Sequence, residues 1–428
     1  MSQFHKNIFQ NKLKQQEQKL GLNFNESSED SFDDDIPNHI VDDSEFDKFK
    51  WSDVFDNNDI YCNSDGYKFQ TYFQYPTFNN EEEEEEEEEE ENPVIFIGHH
   101  GAGSNGLTFI ELAKYLKIQS KNLNYSKNPG FFTFDMRGHG KTNLINNSND
   151  NYNLSIECLQ NDFSFILNNF INLMIKKFKN FSIYLIGHSL GGSILTKFLF
   201  NIQQQDNNSN FNPLYLKFIK SLILIDIVEE TAINSLNLMD NYLMNLPLSF
   251  PNLNFAINWH IKNNLRFNLN SCNYTIPSIL FKDKISNNYK FIIDLNLTKN
   301  YWLNWFKNLS NNFILINNSI SKLLILANND YLDKNLIIGQ MKGNFQLIVF
   351  TSNDLNKYIL STITTTININ KDSKKLSHFI QEDIPFKLSI TLLEFIERND
   401  NISFHKKFEL NSKLDLINKL NKKWNVKK

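Results

Sequence analysis

The run Gly187-His188-Ser189-Leu190-Gly191-Gly192 follows the apolar segment Phe181 to Ile186 directly and opens at once into the helix-like stretch Ser193 to Leu199. No other segment restricts the possible folds of this chain so much. A strand has to end and a helix begin within a few residues, and glycines on both sides of the tip are what permit so tight a turn. A turn of this kind strains the residue at its tip and lifts that side chain clear of the sheet. Ser189 occupies the tip and is the candidate nucleophile. A glycine-rich connection without chemistry shares the local pattern; the strand before it and the helix after it favour the catalytic reading.

Such a strand needs neighbours, and the chain supplies them. From Pro93 onward short apolar runs alternate with helical patterns. Strands are predicted at Val94–Ile97, Phe131–Phe134, Phe181–Ile186, Leu222–Ile225, Leu323–Leu326 and Gln346–Phe350. Ile156, Leu159, Phe163, Ile166, Leu167 and Phe170 recur at helical spacing, and Pro385 to Arg398 reads as a closing helix. This alternation predicts an α/β architecture, a mostly parallel central sheet with helices on both faces. Together with the Gly-x-Ser-x-Gly turn it specifies the α/β-hydrolase fold. Tyr67 to Tyr75 alternates aromatic and polar residues, which predicts a half-buried antiparallel edge strand. The stretch 231–318, with aromatic segments such as Tyr301-Trp302-Leu303-Asn304-Trp305-Phe306, breaks the alternation and reads as a helical lid inserted after the fourth parallel strand.

The 428 residues are therefore expected to hold one folded domain, 49–400, between a polar, acidic, disordered extension at 1–48 and a basic tail at 401–428. Eleven consecutive glutamates, Glu81 to Glu91, make a solvated loop at 80–92, and 351–376 is a low-complexity loop. Without the glutamates the net charge of −6 would change sign, so global charge does not point to a nucleic-acid partner. Three scattered cysteines, Cys62, Cys158 and Cys272, do not make a disulfide framework. With no signal-like N-terminus and no run long enough to span a bilayer, the expectation is a cytoplasmic or nuclear protein without a membrane partner.

A serine hydroxyl needs a histidine to take its proton and a carboxylate to orient that histidine, and in this fold they follow in the order Ser, Asp or Glu, His. Of nine histidines, His378 and His405 lie beyond the last predicted strand. His378 stands in the loop ahead of the closing helix and is the candidate base; His405 lies in the tail. Asp226 and Asp330 each follow a strand at the carboxyl edge of the sheet; order alone does not separate them, and the habit of the fold, in which the acid follows the later strand, favours Asp330. The turn Gly98-His99-His100-Gly101-Ala102-Gly103-Ser104-Asn105 offers backbone N–H groups for an oxyanion hole, with Ala102 first choice, Gly101 beside it and Leu190 as the second arm. His99 and His100 point to opposite sides and lack further ligands nearby, so no metal is expected. Asp135-Met136-Arg137-Gly138-His139-Gly140 reads as a bracing loop. No phosphate loop, dinucleotide fingerprint or zinc spacing is present, and no cofactor is implied.

Longer segments add a resemblance. Ile225-Asp226-Ile227-Val228-Glu229-Glu230-Thr231-Ala232, Lys299 to Ser310, Tyr331 to Lys334 and Ile338 to Gly343 resemble the protein phosphatase methylesterases, α/β-hydrolases that remove the methyl ester from the C-terminal leucine of the protein phosphatase 2A catalytic subunit. The resemblance runs from about Trp51 onward. It implies Ser189 as nucleophile, His378 as base and, from the Ile-Asp-Val-Val-Glu motif, Asp226 rather than Asp330 as the acid. It implies the 2A catalytic subunit as partner. In the family's Gly-His-Ala-Val-His-Glu-Asp segment this chain has Ser377 for the glycine, Phe379 for the alanine and Gln381 for the second histidine. The alternatives are a small-molecule carboxylesterase or lipase of the same fold and a phosphatase-binding protein without turnover.

Overall fold

The computed structural model describes residues 46, 48–78, 92–123, 125, 127–144, 153–204, 211–328, 331–355 and 376–399. The expectations for most of the N-terminal extension, the glutamate run, most of the low-complexity loop, Asp330 and the basic tail with His405 fall outside these residues.

One sheet organises the molecule. Its principal strands are β1 (Asn57–Cys62), β2 (Tyr67–Gln74), β3 (Val94–His99), β4 (Gly130–Phe134), β5 (Ser182–His188), β6 (Ile219–Ile225), β7 (Ser321–Ala327) and β8 (Gln346–Phe350). They lie in the order β1-β2-β4-β3-β5-β6-β7-β8, and the two-residue strand Asn143–Leu144 adds a ninth beside β2. From β4 to β8 every pairing is parallel, while β1–β2 and β2–β4 are antiparallel.

Strand alternation divides the apolar side chains between two cores, one on each face. Ile95, Ile97, Ile183, Leu185, Leu222, Leu224, Leu324 and Leu326 face α2 (Ile156–Ile175) and α3 (Leu190–Gln203). Phe96, Tyr184, Ile186, Ile223, Ile225, Leu323 and Ile325 face α1 (Ile110–Asn122) and the closing helix at 385–399. Both faces are covered, so these strands read as continuous apolar runs, which is why the sequence located them.

Two expectations change. Tyr67–Gln74 is not the edge: β1 lies outside it, and seven of its eight residues are buried. The real edge, Asn57-Asn58-Asp59-Ile60-Tyr61-Cys62, is polar and only partly covered, so no apolar pattern marks it. The stretch expected as a lid also divides in two. α4 (Glu229–Met244), α5 (Leu253–Lys262) and α6 (Leu269–Ser278) come first, and α5 and α6 enclose a small core of their own with Phe250, Ile257, Cys272 and Ile276. From Ile293 onward the chain rejoins the main core: Trp302, Trp305, Phe306, Leu309 and Phe313 pack with α2 and α3, and Trp305 donates its indole N–H to the carbonyl of Leu154 at 2.7 Å. Among the described residues no helix is long and apolar enough to cross a membrane.

Candidate active site

The turn after β5 places Ser189 at φ 51°, ψ −121°, a conformation in which an L-residue is strained, and leaves its side chain half-buried. Its N–H is held by the carbonyl of Ile225 at 3.0 Å, which ties the turn to the end of β6. The glycines are compelled by close approach. A Cβ at Gly187 would lie 2.5 Å from Cα of Gly192, and one at Gly191 would lie 2.1 Å from the carbonyl oxygen of His99. The first contact sets how sharply β5 bends into α3; the second lets the start of α3 touch the end of β3.

Asp226 closes β6 and also has positive φ, 51°. Its N–H donates to Ile325 at 2.7 Å, and its carboxylate accepts from the N–H of Ala327 at 2.8 Å on Oδ1. On Oδ2 it accepts from His378 at 2.7 Å. A carboxylate only accepts, so Nδ1 of His378 carries a proton, and in the neutral ring Nε2 is then the bare nitrogen. Asp226 is 8% exposed and His378 43%, so one ring is held from a sheltered carboxylate while its far side meets solvent. The backbone carbonyl of His378 accepts from His188 Nε2 at 2.8 Å, and the two rings lie 4.7 Å apart. Among the described contacts no hydrogen bond joins Ser189 Oγ to the His378 ring; in an unliganded site that bond is often loose.

The glycine-rich turn after β3 comes against the serine from the other side. A Cβ at Gly101 would stand 3.0 Å from Ser189 Cβ. Within the turn the N–H of Gly103 is taken by His139 Nε2 at 3.0 Å and that of Ser104 by the Gly101 carbonyl at 3.3 Å. Among the described residues no acceptor engages the N–H of Ala102, or that of Leu190 at the start of α3. Leu190 directly follows the serine, and Ala102 directly follows Gly101, which lies against the serine's Cβ.

The bracing loop after β4 holds this turn through two imidazoles. His139 donates from Nδ1 to the Arg137 carbonyl at 3.0 Å while accepting from Gly103. His100 donates from Nδ1 to the Gly101 carbonyl at 2.8 Å and accepts from the N–H of Met136 at 2.9 Å. Both roles require a neutral ring, and burial enforces one by disfavouring the cation: His139 is lowered to about 4, and His100 falls well below the ordinary range. Both ring nitrogens of His100 are therefore committed to the backbone. Arg137 anchors the loop by a two-pronged bond to Asp162, 2.5 Å on each arm, with its guanidinium 4.2 Å over the Tyr67 ring. Asp135 accepts from the N–H groups of Gly106 and Lys141, each at 2.8 Å.

A second anchor fastens the segment around His378. Glu382 accepts from Arg266 at 2.7 Å, Thr108 at 2.5 Å and Thr275 at 3.0 Å, all buried. Asp383 accepts from the N–H groups of Phe267 and Ser377, each at 2.9 Å, and burial pushes its carboxyl up to about 6. Arg266 also lies 3.8 Å over the ring of Phe379. The loop that carries His378 is thus fastened to the α5–α6 connection. Sequence reasoning placed His139 within the bracing loop without giving its ring a role, and missed His188, Arg266 and Glu382; a Glu-Asp pair four and five residues after His378 was the local signal for the last. Glu229, in the segment that carried the resemblance, accepts from the N–H groups of Asn308 and Ser310 at 2.8 and 3.0 Å and so docks the helix Leu309–Leu315 beside α4.

Residues 93–353 match the family model described as alpha/beta hydrolase fold. A protein phosphatase methylesterase 1 of Debaryomyces hansenii is 38% identical over 364 residues, 83% of this chain and 79% of that protein. The Candida albicans protein of the same name is 34% identical over 416 residues, 93% of each chain, and that of Saccharomyces cerevisiae 36% identical over 354 residues, 82% and 76%. The crystal structure of E-2-(acetamidomethylene)succinate hydrolase superposes with a TM-score of 0.51 at 11% identity, over 80% of this chain and 100% of that one, a likeness of fold alone.

Proposed function

The chain belongs to the protein phosphatase methylesterase 1 family of α/β hydrolases, and on that premise we propose that it hydrolyses the methyl ester on the C-terminal leucine of the protein phosphatase 2A catalytic subunit. It is a carboxylic ester hydrolase. The observation that carries the mechanism is the 2.7 Å bond from His378 Nδ1 to Asp226, made beside the strained turn of Ser189.

In this reading Ser189 Oγ attacks the ester carbonyl as His378 Nε2 takes its proton. The carbonyl oxygen, now negative, receives the N–H groups of Ala102 and Leu190, a contribution worth about a hundredfold or more in rate per donor. Asp226 holds the Nδ1–H tautomer and stabilises the imidazolium that forms. His378 then passes its proton to the departing methoxide, which leaves as methanol. Water, activated by the same imidazole, cleaves the acyl-enzyme and releases the leucine carboxylate. The N–H of Gly103, already bound to His139, takes no part. The free thiols of Cys62, Cys158 and Cys272 support a cytoplasmic or nuclear location.

The test is Ser189→Ala protein added to methylated phosphatase. Loss of methanol release with phosphatase binding retained supports the serine mechanism. Continued hydrolysis refutes it, and a wild-type enzyme that cleaves short aryl esters but leaves the methylated phosphatase intact refutes the substrate.

A further inference from the structure

We propose that His188 is a positioning residue that fixes the catalytic base through the backbone carbonyl of His378. The inference rests on the reading of Ser189 and His378 above and adds a residue to it.

His188 ends β5, immediately before Ser189, and is 1% exposed. Its Nε2 lies 2.8 Å from the carbonyl oxygen of His378, an acceptor, so the proton of the ring must sit on Nε2. That leaves Nδ1 bare, and among the described residues Nδ1 has no hydrogen-bond partner. It faces Gly101, where a Cβ would come within 3.1 Å of it. Burial, reinforced by His378 and Arg266 nearby, keeps the ring neutral by pushing its proton affinity well below the ordinary range.

An apolar side chain would suit this site better if packing were all that mattered. The ring of Phe379 lies 5.0 Å away, and a buried acceptor without a partner carries a desolvation cost that leucine would avoid. What leucine could not supply is the N–H bond to residue 378.

The consequence is geometric. His378 is fixed at two points, its Nδ1 on Asp226 and its carbonyl on His188. Holding a histidine by its backbone and by one ring nitrogen determines the direction of the other nitrogen. The second of those points belongs to the residue bonded to the nucleophile. Base and serine therefore share a frame one peptide long, although they lie 189 positions apart in the chain. This shared frame sets their mutual alignment.

Three variants of the full chain test the proposal with methylated phosphatase as substrate and Ser189→Ala as reference. His188→Leu removes the donor. His188→Asn keeps polarity but is too short to place a donor where Nε2 stands. His188→Gln puts an amide nitrogen within reach of the same carbonyl. Displacing a reacting group by about 1 Å costs on the order of a hundredfold, so the Leu and Asn variants should lose about 10- to 100-fold in kcat with KM within about twofold. Gln should restore kcat to within about fivefold of wild type. Wild-type kcat in a folded Leu or Asn variant overturns the proposal, as does a Gln variant as impaired as Leu, or a loss confined to KM. Hydrolysis persisting in Ser189→Ala would instead remove the underlying serine mechanism.

Discussion

Asparagine at position 226 replaces one carboxylate oxygen by NH2 and leaves the side chain's shape unchanged. Two donors converge on that side chain, the N–H of Ala327 at 2.8 Å and Nδ1–H of His378 at 2.7 Å. An amide can accept at only one of its two ends. The backbone N–H has no second protonation state, so the amide oxygen must turn to Ala327 and the NH2 to His378. The imidazole can satisfy that NH2 only by moving its proton to Nε2, the nitrogen that has to deprotonate Ser189. Both hydrogen bonds survive, and the base is lost. The expected fall in kcat is about ten-thousandfold, equal to about 5 kcal/mol of transition-state stabilisation. The melting temperature should stay within about 3 °C of wild type, because no buried donor is orphaned. Methanol release from methylated phosphatase under single-turnover conditions, with thermal unfolding on the same preparation, reads both quantities. A fall in kcat smaller than about tenfold would refute the reasoning and return the acid's role to Asp330.

Arg266→Met should destabilise the fold by about 3–5 kcal/mol, because it leaves the buried Glu382 carboxylate without its counter-charge. The double variant with Glu382→Gln should recover much of that loss in denaturant titrations, and a single-variant cost below about 1 kcal/mol would contradict the assignment. Gly191→Ala drives a Cβ to 2.1 Å from the His99 carbonyl, so labelling by a serine-directed probe should be abolished; wild-type labelling would show that the turn relaxes without cost. His99 and His139 are both lowered to about 4 in the fold. On these two rings the unfolded chain therefore binds protons between about pH 6.5 and 4 that the native state does not, and their contribution to stability, complete above that window, falls as pH drops through it. Each ring accounts for on the order of 3 kcal/mol, and His139→Gln should flatten the dependence measured at pH 7 and pH 4.5; an unchanged slope would mean that His139 is not held neutral.

How much was legible depended on where the information lies. Residues 94–97 and 183–186 lie in strands buried on both faces, so these runs had to be apolar and announced themselves. Asn57–Cys62 pairs by its backbone at an exposed edge, where hydrogen bonds hold it and side chains need not, so no pattern betrayed it. The division of the stretch 231–318 was hidden because Trp302 and Trp305 look alike whether they cover a ligand or fill the core against α3. Ala102 could be proposed from its turn, but its availability as a donor follows from His139 and Gly101 occupying the neighbouring N–H groups.

The amino-acid order by itself settled the strand–turn–helix around Ser189, since only glycine tolerates 2.1 to 2.5 Å approaches there, and the layered α/β architecture, since hydrophobic period reports burial. The pairing of Asp226 with His378, the anchoring of that histidine by His188 and by Glu382 on Arg266, and the neutral rings that steady the turn after β3 were decided by tertiary structure. Those contacts join residues up to 190 positions apart, and each depends on distances and desolvation that exist only once the chain has closed on itself.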